Sequence, residues 1–156
     1  MLLIIATIMM GLTAGIFVCW SISVMPGLAP LPDKEFISAF QSLNREIQNP
    51  LFFSLFLGTL VLLPASAWQQ YQQPAQLRFW LLLAAAIVYA AGVFGLTIFG
   101  NVPLNEALDK FNLITASPVE IAERRISFEG PWNTMNNIRS LSCIVSFALT
   151  VVAKQM

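Results

Sequence analysis

This sequence contains no histidine, and that absence removes several chemistries at once. Haem held by an imidazole, zinc held by a His-x-x-x-His pair and any triad with imidazole as its base are excluded. Cysteine is scarce too: Cys19 and Cys143 lie inside apolar runs, with neither metal spacing nor a disulfide framework, and read as small core residues. Charge is the third scarcity. Only 10 % of the 156 residues are charged, against roughly one quarter in a soluble domain. Lys and Arg balance Asp and Glu at 8 each, so composition gives no reason to expect nucleic acid or another polyanion.

Apolar side chains make up 57 % of the chain, and mean hydropathy is +0.73. These values point to an integral membrane protein. Met1 to Val24 is apolar apart from small hydroxyl residues. It lacks a positive n-region and exceeds a signal-peptide core of about 7 to 15 residues, so an uncleaved first transmembrane helix is expected. Gly11 and Gly15 would let another helix approach it. Met25 to Pro32 is rich in proline and should form a turn or extended segment leaving the bilayer.

From Asp33 onward, Phe36, Phe40, Leu43 and Ile47 recur at helical spacing while Lys34, Gln41, Arg45 and Gln48 fall elsewhere. That pattern predicts an amphipathic helix on the membrane surface or against the bundle, with Gln41 facing water. Asn49-Pro50 supplies an N-cap and a first-turn proline for a second span, Leu51 to Trp68. Gln69 to Gln76 reads as a polar hairpin loop, flanked by Trp68, Tyr71 and Trp80 at interfacial positions. Phe79 to Gly100 has no charge and, at about 1.5 Å per residue, matches the roughly 30 Å of a bilayer core.

Asn101-Val102-Pro103-Leu104-Asn105 follows. Pro103 should stop or kink the helix there, with Asn105 as a new N-cap. Ser117-Pro118-Val119-Glu120 is a capping box, expected to open a short surface helix ending near Phe128. Leu141 to Ala153 alone is too short to cross, so the fourth span should begin near Trp132. Arg139 then falls at or slightly below the headgroups and needs partners. Trp132, Asn136 and Arg139 share one helix face.

The expected fold is therefore all-α. It is a four-transmembrane-helix bundle with short amphipathic or surface helices in loops 1 and 3, in one domain over residues 1–156 with spans near 2–24, 51–68, 79–100 and 132–153. Both long polar loops emerge on one side, which holds all 8 acidic residues.

Certain blocks resemble a known family: Val24-Met25-Pro26-Gly27-Leu28, Gln41-Ser42-Leu43-Asn44 with Ile47-Gln48-Asn49-Pro50, Asn101 to Asn105, and Phe128-Glu129 with Pro131-Trp132-Asn133 leading to Asn136-Asn137-Ile138-Arg139. The order and identity of these blocks, over nearly the whole chain, are similar to the DUF1772 or anthrone oxygenase-like family. The resemblance implies four transmembrane helices. It also implies, since some fungal members are implicated in oxidising anthrones to anthraquinones without an evident cofactor, an oxidation of a lipophilic anthrone- or quinol-like substrate with no cofactor and no metal.

In that case Arg139, Asn136 and Asn101 would serve as oxyanion donors and a desolvated Glu129 as the base. Trp132 would be a stacking wall, and Asn105, Asn44 and Asn49 would surround Arg139 in one polar cluster. The partners are membrane lipid and a lipophilic aromatic small molecule, the location the cell membrane, and homo-oligomerisation is left open. The competing reading is a non-catalytic scaffold or small-molecule-binding module, in which the amides cap helices and Arg139 pairs with Glu46, Glu106, Glu129 or a lipid phosphate. Geometry separates the two, because an enzyme needs a pocket beside Arg139 and Trp132 where a scaffold would be packed solid.

Overall fold

The computed structural model of the chain describes residues 1–71, 73 and 76–156. These residues form α1 (Leu2–Leu28), α2 (Asp33–Glu46), α3 (Pro50–Gln70), α4 (Gln76–Asp109) and α5 (Pro118–Gln155), with no strand among them. Four of the helices, α1, α3, α4 and α5, are long and apolar enough to cross a membrane, and the chain is a multi-pass membrane protein. In the bundle α1 packs on α3 and α5, and α4 packs on the same two, so the four close into a ring. The short helix α2 lies across α5 and the end of α4. The hairpin expected over Gln69 to Gln76 falls partly outside the described residues, while Trp68, Tyr71 and Trp80 are exposed on its flanks.

Three helices run further than their prolines suggest. Two of them share one device. In α1 the Met25 N–H bonds the Trp20 carbonyl five residues back, just before Pro26. In α4 the Val102 N–H bonds the Thr97 carbonyl in the same way, just before Pro103. Each proline therefore follows a wide π turn and begins a fresh α stretch, where its missing N–H and its ring cost little. The expected turn after Val24 starts instead at Ala29, and the expected stop at Asn101 becomes a continuous helix to Asp109. Asn105 is accordingly mid-helix and not an N-cap.

The third case is α5, where the expected surface helix and fourth span are a single helix of 38 residues passing through Pro131. At 1.5 Å per residue it is roughly 57 Å long, so a large part extends beyond the bilayer core. An interior proline costs about 3 kcal/mol, and packing on both sides offsets it. Ile121, Phe128, Trp132, Asn136, Arg139, Cys143, Ser146, Thr150 and Ala153 form one buried stripe at helical spacing that crosses the proline without a break. Phe128 and Trp132 meet the ring of Phe40 at 4.6 and 5.2 Å.

The protruding end of α5 is fastened by Arg125. Its guanidinium bonds the carbonyls of Ala29 and Leu31 and the carboxylates of Asp33 and Glu129, and lies 4.3 Å from the Phe36 ring centre. The expected Ser117 capping box starts the helix, with the Ser117 N–H donating to Glu120 at 2.7 Å and the Glu120 N–H donating to the Ser117 hydroxyl.

The stripe of α2 is rotated from the expected one. Phe36, Ile37, Phe40 and Asn44 are buried, and Leu43 is 38 % exposed. Gln41 does not simply face water, since its amide donates to the carbonyls of Leu108 and Phe111 and ties α2 to α4. Cys143 is buried, whereas Cys19 is exposed on the outer face of α1. Gly11 faces the Phe147 ring of α5, and Gly15 has nothing within 4 Å. Between α4 and α5 close approaches occur at Gly92 and Gly100, where a Cβ would run into the Ser142 and Met135 side chains.

Candidate functional site

Two π turns flank the region where α1, α4 and α5 meet, one starting at Trp20 and one spanning Thr97–Asn101; such turns are frequent at functional sites. Between them stands Arg139, only 5 % exposed. Its Nη1 donates to the Thr97 hydroxyl at 3.2 Å and its Nη2 to the Asn136 amide oxygen. The guanidinium lies over the Phe17 ring at 4.1 Å and faces Trp132 at 5.9 Å. Its Nε is buried without a hydrogen-bond partner among the described residues. None of the ion pairs among the described residues includes Arg139.

Protons in this network have a fixed direction. Ser140 donates to the Phe17 carbonyl at 2.9 Å, so at the 2.9 Å contact between the two serines Ser21 is the donor. Ser21 in turn accepts from the Asn136 amide nitrogen at 2.8 Å. The Asn136 oxygen is thereby turned toward Arg139, because the flipped amide would set two donors against each other. Thr97 is committed likewise, donating to the Val93 carbonyl at 2.7 Å.

A cavity of about 180 Å³ lies beside Arg139 and Trp132. Phe17 and Trp20 of α1, Phe40 and Asn44 of α2, Phe52 and Phe56 of α3, and Thr97 and Asn105 of α4 complete most of its wall. Phe53 and Ile98, 43 % and 40 % exposed, stand at its edge between α3 and α4, with Gln48 and Glu106 on the loop side. Trp132 is held by its indole N–H, which donates to Asn105 Oδ1 at 2.7 Å. Asn101 is fully buried behind it and donates to the Trp132 carbonyl at 3.4 Å, while its own Oδ1 has no partner among the described residues.

The Anthrone oxygenase family matches residues 51–149, more than half the chain. The chain belongs to the anthrone oxygenase family. The match begins after Pro50, so the blocks Val24 to Leu28 and Gln41 to Pro50 lie outside it. No curated protein and no solved structure matches the chain.

Of the eight site residues expected from sequence, the anthrone oxygenase chain brings four to the cavity wall, Arg139, Trp132, Asn105 and Asn44. Asn136 and Asn101 stand behind that wall and hold Arg139 and Trp132. Two do not join. Glu129 is one helical turn from Arg125 and paired with it at 2.8 Å, away from Arg139. Asn49 is exposed and caps α3, accepting from the Phe52 N–H at 3.0 Å. Among the described residues Glu106 is the one carboxylate on the cavity wall, and it also sits 3.8 Å from Lys110. Ser21, Thr97 and Ser140 join the site without being among the residues expected from sequence. Their signal was available, since they are hydroxyls inside apolar spans at the level of Arg139.

Proposed function

We propose that this member of the anthrone oxygenase family oxidises a lipophilic anthrone- or quinol-like molecule in the cavity beside Arg139, without a cofactor, at the interface of the cell membrane. The observation that carries the reading is an aromatic cavity of about 180 Å³ against a buried guanidinium and a tryptophan; a dry cavity of roughly 150 Å³ already accepts benzene. A polar scaffold would have been packed solid there. The partly exposed Phe53 of α3 and Ile98 of α4 at the cavity edge suit entry from the apolar phase.

The chemistry asks little of the protein. A proton leaves the CH2 of an anthrone, and the electron pair spreads to its carbonyl oxygen, where Arg139 stabilises the charge. The enolate carbon bonds dioxygen, and the resulting peroxide loses water. One substrate and one dioxygen thus give one quinone and one water, the CH2 becoming C=O. Glu106 at the cavity edge takes the role of proton acceptor expected of Glu129. The phenyl and indole faces hold the rings in place.

Oxygen uptake by the purified protein in detergent, with an anthrone supplied in the same micelles, tests the proposal. Wild type should consume oxygen above the spontaneous rate. Arg139→Gln should abolish that excess, and Arg139→Lys, which keeps charge but loses the planar fork, should retain part of it. If no excess is seen across a panel of anthrones and quinols, the oxidation is wrong and the cavity is a binding site only.

A further inference from the structure

Arg139 is a buried cation whose hydrogen-bond acceptors, the Thr97 hydroxyl and the Asn136 oxygen, are both neutral. Tyr89 from α4 and Cys143 from α5 are the titratable groups beside it. The cavity faces of α1, α2 and α3 present none, and the carboxylate of Glu106 is exposed at the rim. A buried charge without a counter-charge is costly. The network behind it cannot relieve that cost, because the Ser140, Ser21 and Asn136 chain only fixes an amide dipole.

We infer that the cavity binds acidic aromatic alcohols as their anions, the aryl-oxide oxygen supplying Arg139 with the counter-charge that none of the described residues provides. This deepens the proposed function, resting on the same cavity, but it requires no turnover. On binding, the O–H bond breaks and the proton passes to solvent at the rim. No carbon bond changes and nothing is oxidised. The ring lies against Phe17, Phe56 and Trp132.

Two effects oppose each other, and their balance is measurable. An apolar cavity alone favours the neutral phenol and moves its ionisation to higher pH, whereas a cation within about 4 to 6 Å moves it lower by roughly 1 to 3 units. Here the cation should win, because Arg139 lines the cavity itself beside Phe17 and Trp132.

Nitrophenol reports the outcome directly, since phenol and phenolate absorb at different wavelengths. It is titrated with pH in the presence of purified protein in detergent and in protein-free micelles of the same detergent. The expected result is a saturable bound population whose ionisation midpoint lies roughly one pH unit or more below that in micelles. Arg139→Gln should move the bound midpoint to or above the micelle value, and Arg139→Lys should keep part of the downward shift. Should Arg139→Gln not fold, the sign of the wild-type shift decides alone. An unchanged or raised midpoint in wild type, or no saturable binding, overturns the inference. Anionic binding without oxygen uptake would contradict only the oxidation. Oxygen uptake with nitrophenol bound neutral would contradict only this proposal.

Discussion

Arg125 and Arg139 sit about four turns apart on the same helix, and the protein treats them in opposite ways. Arg125 is saturated by two carboxylates and two carbonyls, and these contacts clamp the segment after α1 to the outer part of α5. Arg139 has two neutral acceptors, one nitrogen without a partner among the described residues, and a cavity next to it. A cation fully answered by its own chain is a fastener. A cation answered by neutral groups beside a cavity is available to a ligand.

The comparison can be sharpened by removing each charge in turn. Arg125→Gln should cost the most stability, about 2 kcal/mol, because it strands Asp33, Glu129 and two carbonyls, moderated by their partial exposure. Thermal unfolding in detergent measures it, and ligand binding should be unchanged. Asn105→Ala should cost somewhat less, about 1 to 2 kcal/mol, by leaving the buried Trp132 N–H without its acceptor. The same variant should broaden the orientation of Trp132, read as lower fluorescence anisotropy. Arg139→Gln should cost only about 1 kcal/mol in the empty protein, since the lost hydrogen bonds are partly offset by removal of an uncompensated charge. Smallest of all, Ser117→Ala should cost roughly 0.5 to 1 kcal/mol by removing the cap of α5. That cost should appear as faster hydrogen exchange in the first turns of the helix, with nothing changed at the cavity.

Much of the fold was legible because bilayer thickness and helical spacing leave few choices. The apolar runs gave the four long helices, and Asn49 and Ser117 marked true helix starts. Three helices overrun their prolines because a proline breaks a helix only where nothing around it compensates. At Pro26 and Pro103 a π turn absorbs the defect. At Pro131 the stripe from Ile121 to Ala153 was already in the sequence, but it becomes decisive only once the segment before the proline has something to pack on, which is Phe40. Arg139, Trp132 and Asn105 were legible as a polar group set against an apolar run. Glu129 stands apart from the cavity because its partner, Arg125, lies one turn away in the same helix. Phe17 and Trp20 come to the site from the far end of the chain, and no spacing rule connects them to Arg139.

The most direct test of the central contrast is quenching of tryptophan fluorescence by a neutral anthraquinone, because Trp20 and Trp132 both line the cavity with ring centres 5.4 Å apart. Saturable quenching is expected in wild type and in Arg125→Gln with the same affinity. In Arg139→Gln the affinity should fall by about tenfold or more, the loss of a charge-assisted hydrogen bond. Equal affinity in all three proteins, or an equal loss in both variants, would contradict it.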